Sequence, residues 1–183
     1  MLDVLNDIDY EKFRKVIYDE CGITFSTTNR SILDSRIKEL LRKKNIETPA
    51  EYLALVLKNP EEMKLMLDSV TTNLTRFFRN QPHFDAFSKY VIPAIVEQKK
   101  STGGDRTVRV WSAGCSTGEE PYTIAMVLKE TLPLGFNFKV TASDISLKSL
   151  MVGQQGFYAD SKVDGIPPAY LDKYFPKVDG GYQ

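Results

Sequence analysis

The chain is poor in cysteine and histidine, has no long apolar run and carries no excess of charge. Its 183 residues include two cysteines, Cys21 and Cys115. They form neither a Cys-x-x-Cys pair nor a zinc-ligand set, so they read as reduced thiols, with no metal site and no disulfide framework. A chain of this length buries about two-thirds of its unfolded surface and needs no such framework. His83 is the one histidine. Between Pro82 and Phe84 it reads as a helix-start residue and not as a catalytic base. The longest apolar run, Tyr90 to Val96, contains a proline and is far too short to span a bilayer. Lys plus Arg number 24 and Asp plus Glu number 24, which argues against a surface built for nucleic acid. The first residues, Met1 to Asp7, place acids where a secretory signal needs a basic start. Hydrophobic residues at 42% and charged residues at 26% exclude a disordered tail. The expectation is a globular cytoplasmic protein without membrane insertion.

The first part of the chain is patterned as short helices. Tyr10, Phe13, Ile17 and Cys21 fall at helical spacing, with Gly22 as the stop. A second helix is expected from Asn29 to Lys44, with Leu33, Ile37, Leu40 and Lys44 on one face. Thr48-Pro49-Ala50-Glu51 is a capping box with proline at the first helical position, opening a helix through Leu57. Asn59-Pro60-Glu61-Glu62 opens the next, with Met63, Met66, Leu67 and Val70 inward. Pro82 opens a longer helix carrying Phe84, Phe87, Tyr90, Val91 and Ile95, which Pro93 is expected to kink. Ser101 to Asp105 reads as a loop. The period then changes. Thr107 to Ser112 reads as a strand, Glu119 to Leu132 as a helix with Ile124, Val127 and Leu128 inward, and Phe138 to Ser143 as a second strand. Ser146 can cap a third helix, and a last short helix covers Pro168 to Phe175. Strand, helix, strand, helix implies a parallel sheet with right-handed crossovers. The expected divisions are residues 1–80 (a helical domain), 81–106 (a linking helix and loop) and 107–183 (an α/β domain). Two strands fall short of an ordinary sheet of about five or six, so the chain reads as the front part of a longer protein.

The string Val110-Trp111-Ser112-Ala113-Gly114-Cys115-Ser116-Thr117-Gly118-Glu119-Glu120-Pro121 ends a strand, turns on small residues and starts a helix. In an open parallel sheet a nucleotide-like cofactor sits beyond such a strand end, and glycine lets a ligand approach the backbone. A G-x-G-x-x-G fingerprint is absent, which disfavours an NAD-dependent oxidoreductase. Glu119 and Glu120 stand where a pyrophosphate would want bare amides. A phosphate-free cofactor with a cationic centre suits them better, as S-adenosylmethionine does with its sulfonium and ammonium. Asp144, closing the second strand, can accept from both ribose hydroxyls; its plainer reading is a helix-capping aspartate. Cys115 lacks a partner base and reads as a turn residue, not a nucleophile. Arg36, Lys38, Arg42, Lys43 and Lys44 crowd the second helix, Lys38 and Arg42 sharing an outward face at i, i+4. Its plainer reading is a solvated face.

The strings Thr72-Asn73-Leu74-Thr75-Arg76-Phe77-Phe78-Arg79, Val110 to Tyr122 and Ala142-Ser143-Asp144-Ile145 resemble, in the same order, the CheR-type chemotaxis receptor methyltransferases. The resemblance implies an α + α/β fold, a small N-terminal helical domain followed by the first part of a class I (Rossmann-like) methyltransferase domain with a parallel sheet. It implies transfer of a methyl group from S-adenosylmethionine, leaving S-adenosylhomocysteine, to glutamate side chains of membrane chemoreceptors. By position, Asn73, Thr75 and Arg79 resemble cofactor contacts from the N-terminal side, and Arg79 also resembles the active-site arginine. Glu119 and Asp144 match the acidic cofactor ligands, with Asp144 on the ribose. The basic surface of Arg36, Lys38, Arg42 and Lys43 would meet the acidic methylation helices of a receptor. The family's small antiparallel subdomain, remaining strands and active-site tyrosine are expected beyond Gln183. A second reading is a non-catalytic receptor-docking module with an incomplete cofactor half-site. Open strand edges would leave this piece a monomer or a strand-paired dimer.

Overall fold

In the computed structural model, which describes residues 5–71 and 74–183, the chain forms two compact units, residues 1–72 and 73–183. The division falls at 72/73, against the expected 80/81, and the helices over 81–102 pack within the second unit.

The first unit is helical. Helix α1 (Asp7–Cys21) is capped by Asn6, whose side chain accepts from the Asp9 amide, and ends at Gly22 with φ 74°, a left-handed value that costs glycine nothing. Helix α2 (Arg30–Lys44) buries Leu33, Ile37, Leu40 and Leu41. Helix α3 (Pro49–Lys58) opens on the Thr48–Glu51 capping box, both reciprocal bonds being made. Helix α4 (Pro60–Val70) is capped by Asn59 and buries Met66, Leu67 and Val70. These faces meet in one core that includes Phe13, Ile17 and Tyr52. Lys44, exposed at the end of α2, is tied to the next helices. Its Nζ reaches Glu62 at 2.5 Å, and the buried Glu62 also accepts from Tyr52 Oη at 3.0 Å.

In the second unit the helical run is divided into α5 (Gln81–Ala86), a π turn over Phe87–Val91, and α6 (Ile92–Thr102). The Ile92 amide bonds to Phe87 O, five residues back. Pro93 has no amide to continue the ladder, and the wider turn accommodates the missing bond. The extra residue rotates the face. Tyr90 and Val91 are therefore exposed instead of inward, and Ile92 and Val96 are buried. The helix also runs through Ser101 and Thr102, which the sequence suggested as loop.

Strand β1 (Thr107–Ala113), helix α7 (Glu119–Thr131) and strand β2 (Asn137–Ser143) form a parallel crossover, with Val108 opposite Phe138 and Ala113 opposite Ser143. Helix α8 (Leu147–Gln155) is capped by Ser146, which accepts from the Ser149 amide. Strand β3 (Tyr158–Ala159), helix α9 (Pro168–Tyr174), strand β4 (Lys177–Val178) and strand β5 (Gly181–Tyr182) follow. The last three strands make a small antiparallel sheet in the order β3-β5-β4. An antiparallel element therefore begins before Gln183, where the sequence reading had placed it wholly beyond. The core of this unit gathers Phe77, Phe78, Val108, Leu128 and Tyr158. Among the described residues no helix is long and apolar enough to cross a membrane.

One carboxylate of the helical unit is poorly matched to its surroundings. Asp34 is buried, its Oδ1 has no partner, and Arg30 Nε lies 3.9 Å from Oδ2. Burial raises its pKa above the ordinary value, and the charges of Arg30 and Lys38 only partly oppose this. The folded state then holds the proton more tightly than the unfolded chain. Its stabilising contribution is complete below the unfolded value and is lost as pH rises through the raised folded one. In urea unfolding of the chain followed across pH 3 to 7, this decline is expected to disappear in Asp34→Asn.

Candidate functional site

The turn between β1 and α7 is built by bonds from β2. The Gly114 and Cys115 amides both donate to Ser143 O, at 2.8 and 3.0 Å, and the Gly118 amide donates to Cys115 O at 3.0 Å. The Ser116 amide donates to Asp144 Oδ2 at 2.6 Å, while Asp144 Oδ1 accepts from the Ser146 amide at 2.8 Å. Asp144 thus ties the turn after the first strand to the start of α8. Asp144 is not the cap of α8, which is Ser146; it makes an Asx turn ahead of the helix, and its other oxygen is aimed into the turn. A carboxylate has about four acceptor positions, so two amides leave capacity for a ligand.

Four amides of the turn are consumed within the chain. A phosphate cradle needs such amides bare and convergent, so this turn is not one. Ser116 has φ 48° and Gly114 φ 78°. A left-handed serine costs energy of the order of 1–3 kcal/mol, and the short Asp144 bond holds it there. The two glycines serve different ends. A Cβ on Gly114 would enter open space, so the backbone there can be approached. A Cβ on Gly118 would lie 2.8 Å from Tyr158 Oη and 3.0 Å from Gly153 Cα. Gly118, with φ 96°, is therefore required by its backbone and by internal packing.

Glu119 is only 1% exposed, and its Oε2 accepts from Thr117 Oγ1 at 2.6 Å. Its carboxylate lies folded beneath the turn. Glu120 is exposed and accepts from Ser112 Oγ at 2.6 Å. Cys115 is buried; burial first, then the charge of Asp144, push its thiol up. It is no thiolate nucleophile. A cavity of about 410 Å³ adjoins the turn, lined by Cys115, Ser116, Gly118, Tyr122, Val140 and Leu150 among others.

Asn73 lies outside the described residues. Thr75 is half-buried. Arg79 is exposed and donates from Nη1 to Leu74 O at 2.9 Å. The two flanking residues, Phe78 and Asn80, have φ 51° and 62°, so Arg79 sits in an unusual turn. This turn is bonded to α7 through Phe78 N and Thr123 Oγ1, 3.2 Å apart. The structure therefore brings Asp144 and Glu119 to one turn and ties the Arg79 segment to the same helix start.

Tyr158 is a residue that the sequence reading did not single out. Its hydroxyl donates to Thr117 O at 2.8 Å, and its ring packs edge-on to Phe77 at 4.8 Å. Burial, with the charge of Glu119, pushes its phenol far up, so it remains a donor. It sits in a two-residue strand, too short to show periodicity.

On α2 the bases are partly matched. Glu39 is 2.7 Å from Lys43 Nζ and 3.6 Å from Arg36 Nη1, and Lys43 chiefly holds its carboxyl below the ordinary value. Lys38 is half-buried and acts on Asp34. Arg42 is exposed. Arg42, Lys43 and Lys44 also occupy the last helical turn, where cations oppose the helix dipole.

Comparison with known proteins matches residues 73–183 to the family described as CheR methyltransferase, SAM binding domain, and residues 8–71 to CheR methyltransferase, all-alpha domain. A chemotaxis protein methyltransferase of Borreliella burgdorferi is 35% identical over 90% of this chain and 59% of its own length. That of Escherichia coli is 33% identical over 98% of this chain and 60% of its own. Chemotaxis protein methyltransferase 2 of Vibrio cholerae is 31% identical over 98% and 63%. The chain thus spans about 60% of the length of the curated relatives it matches.

Replacing Asp144 by Asn removes one acceptor from a pair of amides. We expect a loss of about 1–3 kcal/mol in the stability of residues 73–183, read by denaturant unfolding with Trp111 fluorescence.

Proposed function

The chain belongs to the CheR methyltransferase family, and from that premise we propose that it carries the S-adenosylmethionine site of an enzyme that methylates glutamate side chains of chemoreceptors in the cytoplasm. The observation that carries the reading is the turn at Gly114–Gly118, whose amides are spent internally while a carboxylate closes it and Gly114 stays open to approach. Such a turn suits a ligand without phosphates.

S-adenosylmethionine would supply an electrophilic methyl group, taken by the acceptor carboxylate oxygen as the C–O bond forms, the C–S bond breaks and S-adenosylhomocysteine leaves as the neutral thioether. The residues of this chain would bind and align. Asp144 retains acceptor capacity that suits a ribose diol. Glu119, buried under the turn, contributes negative charge in a poorly screened position, favourable to a cationic ligand. Asn73 and Thr75 would add contacts from the N-terminal side. Arg79 keeps donors beyond its bond to Leu74 O, and a guanidinium fork fits either the cofactor carboxylate or the acceptor carboxylate. A glutamate acceptor is ionised near pH 7, so no strong general base is needed, and alignment is the principal requirement.

The basic face of α2, with Arg36, Lys38, Arg42 and Lys43, would meet the acidic methylation helices of a receptor. Glu39 offsets two of these bases, which leaves Arg42 and Lys38 as the main contributors. The basic last turn of α2 favours one other reading, a non-catalytic receptor-docking module.

Calorimetry with S-adenosylhomocysteine separates the two. Micromolar or tighter binding by this chain supports the methyl-donor site, whereas receptor-peptide binding without cofactor binding supports the docking module. In an enzyme extended to the relatives' length, Arg79→Ala should lower methyl transfer more than tenfold; unchanged turnover would remove Arg79 from the site. Reversing the charge of Arg42 should weaken binding of an acidic receptor-helix peptide while S-adenosylhomocysteine affinity is unchanged. Parallel loss of both would count against the docking face.

A further inference from the structure

Arg79 lies between two residues with left-handed backbone, Phe78 at φ 51° and Asn80 at φ 62°. For a bulky side chain such as phenylalanine this is a genuine outlier, and such strain persists only where the surroundings over-determine it. Three contacts fix the residues just before Arg79. The Phe77 ring is gripped edge-on by Tyr158 and Phe175, at 4.8 and 5.3 Å. The Phe77 carbonyl lies 2.6 Å from where a Cβ on Gly165 would stand, so only glycine fits behind it. The Phe78 amide, in a residue only 7% exposed, donates to Thr123 Oγ1 at 3.2 Å.

The last contact differs from the other two because it is directional. Thr123 is fully buried, and its hydroxyl also donates to Glu119 O at 2.6 Å. A helical threonine commonly bonds back to the carbonyl four residues earlier. Accepting a backbone amide from a segment forty-five residues away is not part of that habit. One hydroxyl thereby spans from the Arg79 turn to the first residue of α7, whose side chain is itself held by Thr117. The Tyr158 hydroxyl on Thr117 O provides a second, parallel tether between the Phe77 ring and the same turn.

We propose that Thr123 is a positioning residue of the methyl-donor site, its hydroxyl setting the Arg79 turn against the Gly114–Glu119 turn so that the guanidinium and the cofactor-binding turn move as one piece. The inference rests on the methyl-donor reading above and adds to it a fully buried residue. Without the hydroxyl the buried Phe78 amide has no acceptor. Its left-handed conformation is then no longer compensated, and the turn relaxes toward ordinary backbone, carrying Arg79 with it.

The test uses this chain and two readouts. Thr123→Val keeps the shape and removes the hydroxyl; Thr123→Ser keeps the hydroxyl. Amide exchange at residues 77–80 should speed up about tenfold in the Val variant, while the β1 and α7 amides are unchanged, and the Ser variant should match the unsubstituted chain. If the Val variant does not fold, Thr123→Ala is read in the same way. In S-adenosylhomocysteine calorimetry, Thr123→Val and Arg79→Ala should each weaken binding by a similar factor, and the double variant should be no weaker than either. Unchanged exchange at 77–80, faster exchange throughout residues 73–183, or additive losses in the double variant would each overturn the role of Thr123 while leaving the methyl-donor site standing. Absence of binding by the unsubstituted chain would overturn both.

Discussion

The bond between the Ser116 amide and the Asp144 carboxylate is the constraint on which the second unit's candidate site depends. It joins the turn after β1 to the end of β2, and it does so at a serine held in left-handed backbone. The same carboxylate takes the Ser146 amide, so the start of α8 is set by the same side chain. Parallel strands with a helical crossover place these two strand ends side by side. The chemistry of the turn then follows from which groups are already used. With the amides at 114, 115, 116 and 118 bonded internally, the site offers carboxylate and open backbone and not a ring of donors. That selects against phosphate before any ligand is considered.

Behind the turn the packing is close enough to explain residue choices that look functional in the sequence. Gly118 and Gly153 let α8 and the turn approach until a methyl group would collide. Tyr122 reinforces the contact by donating to Gly153 O at 2.9 Å. Glycine in such a string is commonly credited to the ligand. Here one glycine faces open space and the other faces a tyrosine hydroxyl and a helix backbone, so the two positions respond to different pressures.

In the helical unit the stop at Gly22, the Thr48–Glu51 box and the start at Asn59 were legible in the sequence, whereas the Asn6 cap and the 3-10 turn over Thr27–Asn29 were not read from it. The caps are local devices: Asn6, Thr48 with Glu51, and Asn59 each bond amides within three residues, and Gly22 stops α1 by its own backbone freedom. Strands β1 and β2 and helix α7 were legible because their periods differ; the two-residue strands β3, β4 and β5 were not. What the pattern did not contain was non-local. The π turn before Pro93 depends on how the ladder compensates for a missing amide, and its consequence is a rotated apolar face. The bond of Lys44 to Glu62, which also accepts from Tyr52, joins residues of three helices. Tyr158 occupies a strand of two residues, and the Phe78–Thr123 bond joins positions with no periodic relation. At the candidate site the residue types were legible in the turn and in Asp144, but the internal commitments of their polar groups were not.

The distribution of strain separates scaffold from site. Among the described residues of the helical unit, the non-glycine residue with left-handed backbone is Asn45, a helix C-cap, where asparagine tolerates the conformation and the strain has a local purpose. In the second unit the corresponding residues are Phe78, Asn80 and Ser116, and no helix end accounts for the first or the last. Both are held by bonds to distant segments, Phe78 through Thr123 to the Glu119 carbonyl at the start of α7 and Ser116 through its amide to Asp144 at the end of β2. Local propensity is overridden only where two segments distant in sequence must be brought to one place, and backbone strain of this kind tends to collect where a binding geometry has to be held before the ligand arrives. A serine or phenylalanine would not otherwise be kept in such a conformation, since glycine would occupy it without cost. What the glycine lacks is the side chain that the structure uses at Phe78, whose ring packs against Phe84 and Tyr170, so the strained backbone and the buried aromatic are parts of one arrangement.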